Sequence, residues 1–572
     1  MHTYYRLPVC YWLSLILFLS HHLPLLLAAK VEEHALSPRF KGLILVSKVS
    51  DLNPAGYENV HGILPYHIEL PGNITPLKKS ISPLLGLPLD QATLKAIKSH
   101  IMNFYKKYHR PIVVTTIPNQ DASHGTLQIV VKEPTIGKIT VKGNRWFRSD
   151  KIMENIHLKI GQPIASNTLK QDLYWLNRNP FRQVNAALSP GEIPGTTDIA
   201  FRVYDRLPFR VYGGVDNTGN DATGETRLIA GFNWANLFHT DQMLSYQFMS
   251  SYDVKRFHSH SIFYEALLPW WYHSLNIYGG YSHIDTTIPG IDTDSYDCQM
   301  NGFSLQASLR YAIPLRAHKN FLHEVICGFD FKRTNNTLEF IGLTLASKLR
   351  DEKNVNLTQL MLGYNLGYKP EPIKLSFAVE GFYSPGKWIS DQSTSAYDSL
   401  RPGSSSHYFY TRSAFTFAWD YYKKWSMRHV LRGQIATQLL LPSEEYGVGG
   451  YNTVRGYKER LLNGDGAFIW NFELYTPPLN LIALLSSRSK LQDELKLLIF
   501  LDYGLTYVNQ TVETEKSFNH IIGAGPGLRY NITPYLTLRA DWGIQLYQIG
   551  NAPTRQTNNS WQRFHFSVIA GY

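Results

Sequence analysis

The chain has few cysteines and few long apolar runs, and both shortages exclude classes of protein. Its 572 residues include three cysteines and no C-x-x-C spacing, so neither a disulfide scaffold nor a zinc module is expected. Cys10 falls in a predicted leader. For Cys298 and Cys327 two alternatives remain, a disulfide between them or two free thiols. Beyond the amino terminus no run approaches the roughly 18 apolar residues of a spanning helix, so a helical membrane protein is not expected.

The local motifs of common enzymes and ligand sites are also missing. The sequence contains no G-x-x-x-x-G-K-[ST] phosphate loop, no G-x-S-x-G nucleophile elbow and no H-E-x-x-H metal motif. The formal charge of +11 would suit an anionic partner, but no Lys/Arg block is interleaved with aromatics as in a nucleic-acid patch. We therefore predict no enzyme activity, no cofactor, no metal site and no nucleic-acid partner.

Aromatic residues, in contrast, are abundant. There are 36 Tyr, 28 Phe and 12 Trp against 8 Met. These residues favour strands, and Tyr and Trp also favour membrane interfaces.

The first 29 residues resemble a secretory signal peptide. Arg6 precedes the apolar run Tyr11–Leu27, and two small residues, Ala28 and Ala29, end it. Leu27 is an imperfect residue for cleavage after Ala29, so a retained signal anchor is the alternative. A short segment, residues 30–38, follows.

Two small α/β modules are predicted next, over residues 39–134 and 135–206. In each module strands flank two helices with apolar residues at helical spacing, and a Gly-x-Pro turn precedes the second helix, so the layout repeats. The predicted strands are 40–48, 67–70, 112–117 and 126–131 in the first module, and 136–142, 184–188 and 197–203 in the second. Such modules could bind an extended peptide by strand addition or serve as spacers.

From residue 207 to 572 the pattern changes to about sixteen alternating strands, as in an antiparallel outer-membrane β-barrel. Long and short connections alternate along this region, although Pro477–Asp493 is long where a short turn is expected. Because a sheet in lipid has to close, the last strand should meet the first. Phe564, Phe566 and Tyr572 alternate along that last strand. A soluble β-sandwich array or a propeller is the alternative fold.

One long loop, residues 441–466, interrupts this pattern. It is rich in glycine and carries Val454-Arg455-Gly456-Tyr457 at its centre. About 45 residues after the Val454–Tyr457 motif, Phe500, Asp502 and Gly504 place a lone carboxylate in an apolar strand. Long loops in compact proteins are usually functional or disordered. Buried opposite charges persist only as pairs, so we predict that Arg455 pairs with Asp502 inside the barrel.

These features together resemble the hemolysin-activator and filamentous-hemagglutinin transporter family, the outer-membrane partners of two-partner secretion. The resemblance covers residues 39–572 and rests on the order of the modules, the sixteen strands, V-R-G-Y after strand eleven and F-x-D-x-G on strand thirteen. Further matches are Ile117–Asp121, Leu188–Gly195 and Val215–Gly219.

The resemblance implies a function. The two modules, called POTRA domains in the family, would capture an unfolded exoprotein in the periplasm, and the barrel would pass it to the cell surface. Outer-membrane lipids and the barrel-assembly machinery are further implied partners. Val454, Arg455, Gly456 and Tyr457 would form the pore-loop motif, and Phe500, Asp502 and Gly504 its strand partner. The alternative is a factor that inserts other barrels into the membrane.

One family feature is not expected here. Relatives carry an amino-terminal helix that plugs the pore, but only about ten residues, 30–39, precede the first strand of the first module. That length is too short for a helix that crosses a barrel, so we expect no plug.

Overall fold

The computed structural model describes residues 38–220, 223–288, 298–315, 320–335, 354–485, 491–510, 517–547 and 561–572. The predicted leader, most of the segment 30–38 and the expected absence of a plug lie outside these residues. The chain divides into two compact units. One ends at Thr135 and includes Pro163–Ser166, and the other comprises Ile136–Gln162 and Asn167–Tyr572.

The first module is a four-stranded sheet packed against helices. Its strands are β1 (Gly42–Val46), β2 (Gly62–Pro65), β3 (Val114–Thr116) and β4 (Thr126–Lys132), in the order β2-β1-β4-β3. Its helices are α1 (Thr75–Ile81) and α2 (Gln91–Lys107). Apolar residues at helical spacing on α2, including Ile97, Ile101 and Phe104, are buried against the sheet. Asp90 caps α2 by accepting a hydrogen bond from the Thr93 amide at 2.7 Å.

The prediction of a strand at residues 67–70 is wrong. The chain instead pairs Gly62–Pro65 in parallel with β1, and it turns at His67, whose φ is 49°. Because proline has no backbone N–H to donate, it is expected to interrupt a central strand. Pro65 lies in an edge strand, where the missing donor is tolerated.

The second module is a three-stranded sheet with two helices. Its strands are β5 (Thr135–Lys142), β6 (Arg182–Pro190) and β7 (Thr196–Asp205), in the order β5-β7-β6. Its helices are α3 (Ser149–Glu154) and α4 (Ser166–Leu176). The side chain of Trp175 on α4 is buried and donates a hydrogen bond to Asn155 at 2.8 Å, so the polar edge of the indole is satisfied inside the core.

Side-chain contacts connect the second module to the domain that follows it. Arg182 pairs with Asp241 at 2.7 Å, and Arg178 pairs with Glu265 at 3.0 Å. The Tyr272 hydroxyl donates to the Asp172 carboxylate at 2.6 Å. The covalent link is short, because β7 ends at Asp205 and the next strand begins at Phe209.

Sixteen antiparallel strands then close into a barrel. They are β8 (Phe209–Asp216), β9 (Arg227–Leu237), β10 (Gln242–Ser250), β11 (Phe257–Leu268), β12 (His273–Ile288), β13 (Cys298–Pro314), β14 (Phe321–Thr334), β15 (Val355–Tyr368), β16 (Ile373–Pro385), β17 (His407–Asp420), β18 (Ser426–Ala436), β21 (Gly466–Tyr475), β22 (Gln492–Tyr507), β23 (Phe518–Thr533), β24 (Leu536–Gln545) and β25 (Gln562–Gly571). β19 (Tyr446–Val448) and β20 (Leu462–Gly464) form a separate hairpin. The predicted fold class, two α/β modules followed by a sixteen-stranded barrel, is confirmed.

Alternation along the strands separates a lipid face from a lumen face. On β18, Ile435 is 66% exposed on the outside, whereas the neighbouring Gln434 is buried. On β22, Ile499 points outward and Asp502 inward. An apolar exterior and a polar interior are what a barrel in a bilayer requires.

The last strand closes the barrel against the first. Ser567 to Gly571 pair with Asp216 to Tyr212. The Tyr572 amide donates to the Val211 carbonyl at 2.9 Å, and the Val211 amide donates to the Tyr572 carbonyl at 3.1 Å. Phe564 lies on the exposed outer face, and its ring stacks on that of Phe566.

The described part of the connections adds helices that the sequence patterns did not predict. α5 (Thr394–Leu400) lies between β16 and β17. The long connection after β21 contains α6 (Leu481–Leu485), whose Ile482 amide donates to Asp493 at 3.0 Å. Among the described residues, no helix combines the length and the apolarity needed to cross a membrane. Cys327 on β14 is a free thiol.

Candidate functional site in the barrel lumen

The loop between β18 and β21 returns into the barrel and rests on its inner wall. Its hairpin, β19 with β20, leads to a tip at Val454–Tyr457. Val454 and Tyr457 are buried with Val448 of the hairpin and Ile521 of β23. The Tyr457 hydroxyl donates to the Ile522 carbonyl at 2.8 Å and also contacts the carbonyl of Tyr547. These contacts fix the tip to the wall that runs from β21 to β25.

Arg455 and Asp502 meet at this tip. The Arg455 Nε donates to Asp502 Oδ2 at 2.7 Å, and Nη2 donates to Oδ1 at 2.8 Å. The Arg455 amide adds a third hydrogen bond at 3.0 Å. Arg455 is 2% exposed and Asp502 is 0% exposed, and the Phe500 ring centroid lies 3.6 Å from the guanidinium carbon. A two-pronged charge pair of this kind is strong and geometrically specific.

The pair belongs to a larger network of guanidinium and carboxylate groups, with Arg428 at its edge, 3.9 Å from Glu473. Glu473 accepts from Arg455 at 2.7 Å, and Asp541 lies 3.5 Å from Arg455. Arg529 bonds Asp541 at 2.7 Å and Glu473 at 3.2 Å, while Arg539 bonds Asp541 at 2.8 Å. Three guanidinium groups thus face three carboxylates, and neighbouring carboxylates hold the pKa of Arg455 above its usual range despite burial.

Glycines let the loop backbone approach the wall. A Cβ on Gly504 would lie 2.7 Å from a methyl of Val454, and a Cβ on Gly543 would lie 2.2 Å from the Gly456 amide nitrogen. Gly456 itself has a φ of +96°, which disfavours any side chain. The Gly456 amide donates to His565 Nε2 at 3.1 Å.

The loop base bonds a different part of the wall. Glu444, which is 0% exposed, accepts from Lys332 at 2.7 Å, from Tyr410 at 2.6 Å and from Gln359 at 2.9 Å. Burial alone would raise the pKa of the Glu444 carboxyl, but Lys332 and Arg412 hold it below its usual range. At the other end of the loop, Asp465 accepts from Arg401 at 2.7 Å.

The structure therefore brings the predicted loop and strand residues together, and it adds partners that the sequence patterns missed. Phe564, Phe566 and Tyr572 lie at the closing strand and not at this site. The missed residues are Glu444, Glu473, Asn471, Arg529, Asp541 and His565. Glu444 lies within the loop itself, and the other five are polar residues at lumen-facing positions of apolar strands, where nothing in the local sequence links them to the loop. No cluster in the described ranges has the donor set of a metal site.

Comparison with known proteins agrees with this architecture. The family model for "Haemolysin secretion/activation protein ShlB/FhaC/HecB" matches residues 195–530, more than half of the chain. The heme/hemopexin transporter protein HuxB of Haemophilus influenzae is 23% identical over 433 residues, covering 74% of this chain and 71% of HuxB. The outer membrane transporter CdiB of Dickeya dadantii is 25% identical over 376 residues, covering 63% of this chain and 62% of CdiB.

Solved structures share the fold. CdiB from Escherichia coli superposes with a TM-score of 0.72 at 16% identity, covering 96% of this chain and 94% of that one. CdiB from Acinetobacter baumannii gives 0.65 at 17% identity, covering 94% and 90%. The chain belongs to the haemolysin secretion/activation family ShlB/FhaC/HecB, and it is an outer-membrane β-barrel transporter of two-partner secretion.

Proposed function

We propose that the loop 441–466 is the gate of this secretion pore and that Arg455 and Asp502 form its latch. With the gate open, an unfolded exoprotein captured by the two POTRA-like modules passes through the lumen to the cell surface. No cofactor and no catalytic step is needed, and the barrel-assembly machinery inserts the protein among outer-membrane lipids.

The observation that carries this proposal is the desolvated ion pair between the loop tip and β22. In a buried ion pair, each charge offsets the cost of removing the other from water. Removing one partner leaves the other charge buried and unpaired, which destabilises the structure by about 3–5 kcal/mol. The pair therefore holds the loop across the lumen at rest. Because the attachment is noncovalent, the loop tip can be released reversibly. The loop tip also packs against glycines of the wall. Because glycines have no side chains, the tip can leave the wall without side chains that obstruct it.

The capture step rests on the modules. The edge strands of the first module are β2 and β3, and those of the second module are β5 and β6. An edge strand offers unpaired amide and carbonyl groups to an extended chain.

The test combines secretion with planar-bilayer conductance. Arg455→Ala should reduce secretion while the barrel still inserts, and its resting conductance should rise toward that of a variant without residues 441–466. Arg148→Ala is the matched control, because it removes the same type of side chain at an exposed position of the second module. A conductance that stays at the wild-type level in both the Arg455 variant and the loop deletion would show that the loop does not close the lumen.

A further inference from the structure

The two attachments of the lumen loop are built differently, and the difference indicates how the loop would move. We call Glu444 with Lys332, Gln359 and Tyr410 the base anchor, and Arg455 with Asp502 the tip latch. The Glu444 carboxylate is bound by β14, β15 and β17. Its backbone carbonyl also accepts from Arg412 at 3.1 Å and Gln434 of β18 at 3.0 Å. One loop residue is thus bonded to four strands.

Apolar packing reinforces the base anchor. Leu440 and Leu441, at the start of the loop, are buried beside Tyr397 of α5 and Tyr408 of β17. The end of the loop is held at the same level, since Asp465 accepts from the Leu440 amide at 2.8 Å and from the Asn509 amide at 2.9 Å. Detaching the base would expose this core, whereas the tip packs against a smaller buried cluster.

The charges left behind also differ. If Arg455 leaves the wall, Asp541 keeps Arg529 and Arg539, and Glu473 keeps Arg529. Asp502 keeps the Asn471 amide at 2.7 Å and faces a lumen that water then enters. If Glu444 leaves, Lys332 has no other carboxylate within salt-bridge distance in the part of the chain that the structure describes. An uncompensated buried charge opposes that second movement.

The stem between the two attachments is short and paired. β19 and β20 form three register pairs, from Tyr446–Gly464 to Val448–Leu462. A paired stem moves as a unit, so release at one end turns the loop about the other end.

We propose that Glu444 is a positioning residue, the hinge about which the lumen loop swings when its tip leaves the wall. This inference rests on the proposed gate function of the loop. It assigns to the base anchor the role of keeping the released loop at one defined position beside the exporting chain.

The experiment measures single-channel conductance levels in full-length variants. Arg455→Ala should give one partial level between the wild type and the loop deletion, because the loop stays attached at its base. Glu444→Gln together with Lys332→Met removes both charges of the base anchor and leaves neither buried and unpaired, so the barrel keeps its heat resistance in electrophoresis. With the tip latch intact, this double variant should stay near the wild-type level.

The triple variant, in which Arg455→Ala is added to the double variant, tests whether Glu444 is the hinge. A swinging loop without its hinge should show a broad spread of levels extending to that of the deletion. A single partial level, as in Arg455→Ala alone, would refute the hinge, and so would a double variant that opens the pore as Arg455→Ala does. If Arg455→Ala and the loop deletion both conduct like the wild type, the gate function itself fails instead. A merely stabilising role of Glu444 would change heat resistance without changing the spread of levels.

Discussion

Docking of the loop tip should depend on pH through Glu459, which lies on the loop rather than on a strand. The Tyr451 amide donates to its carboxylate. Burial, with a contribution from Asp216, raises the pKa of this carboxyl from 4.5 to about 7, although Arg563 and Arg539 oppose the shift. In a released loop the same carboxyl is solvated and titrates near 4.5. Docking therefore takes up a proton between these two values.

The sign and the size follow from this difference. The contribution of Glu459 to docking is largest below pH 4.5, falls as the pH rises toward 7, and stays constant above it. One pKa unit corresponds to about 1.4 kcal/mol, so raising the pH from about 5.5 to about 8 costs the docked state about 2 kcal/mol. This is a factor of roughly 30 in the ratio of docked to released loop.

The assay compares gating in bilayers at these two pH values. The wild type should open more often at the higher pH, and Glu459→Gln, which keeps the shape but carries no charge, should lose this dependence. Glu192→Gln removes the same charge at an exposed position of the second module and should leave it intact. A Glu459→Gln variant whose gating keeps the full pH dependence would refute the reasoning.

Three further perturbations test the same geometry. Asp502→Asn should cost docking about 3–5 kcal/mol, as Arg455→Ala does, and the double variant should lose much less than the sum; additive increases in conductance would contradict a direct pair. Gly543→Val should displace the loop backbone and raise conductance with all charges in place, whereas Gly367→Ala, whose Cβ would meet only one atom at 3.9 Å, should not. Tyr272→Phe should remove about 1.5–3 kcal/mol from the attachment of the second module, seen as faster proteolysis of that module with an unchanged barrel.

The sequence was most informative where the pattern is periodic. The number of barrel strands and the region 207–572 that they occupy were predicted, because the alternation of lipid-facing and lumen-facing residues extends over each strand. The strand at Gly62–Pro65 was missed because its pairing with β1 is parallel and its composition is that of a turn.

Long-range partners were harder to predict. Arg455 and Asp502 could be matched because each is the one charged residue of a short motif, and the resemblance named them as a pair. Glu444 and Lys332 are 112 positions apart, and neither stands in a motif. Only the closure of the barrel brings such residues into contact within one lumen.

The attachment of the second module has a mechanical consequence. Residues 206–208 form the covalent link between this module and the barrel, and Asp172, Arg178 and Arg182 add side-chain contacts to strand β11 and to the turns after β9 and β11. We expect these contacts to hold the module at one side of the pore entrance. A force on a cargo chain that passes over the module would then act on the barrel wall directly.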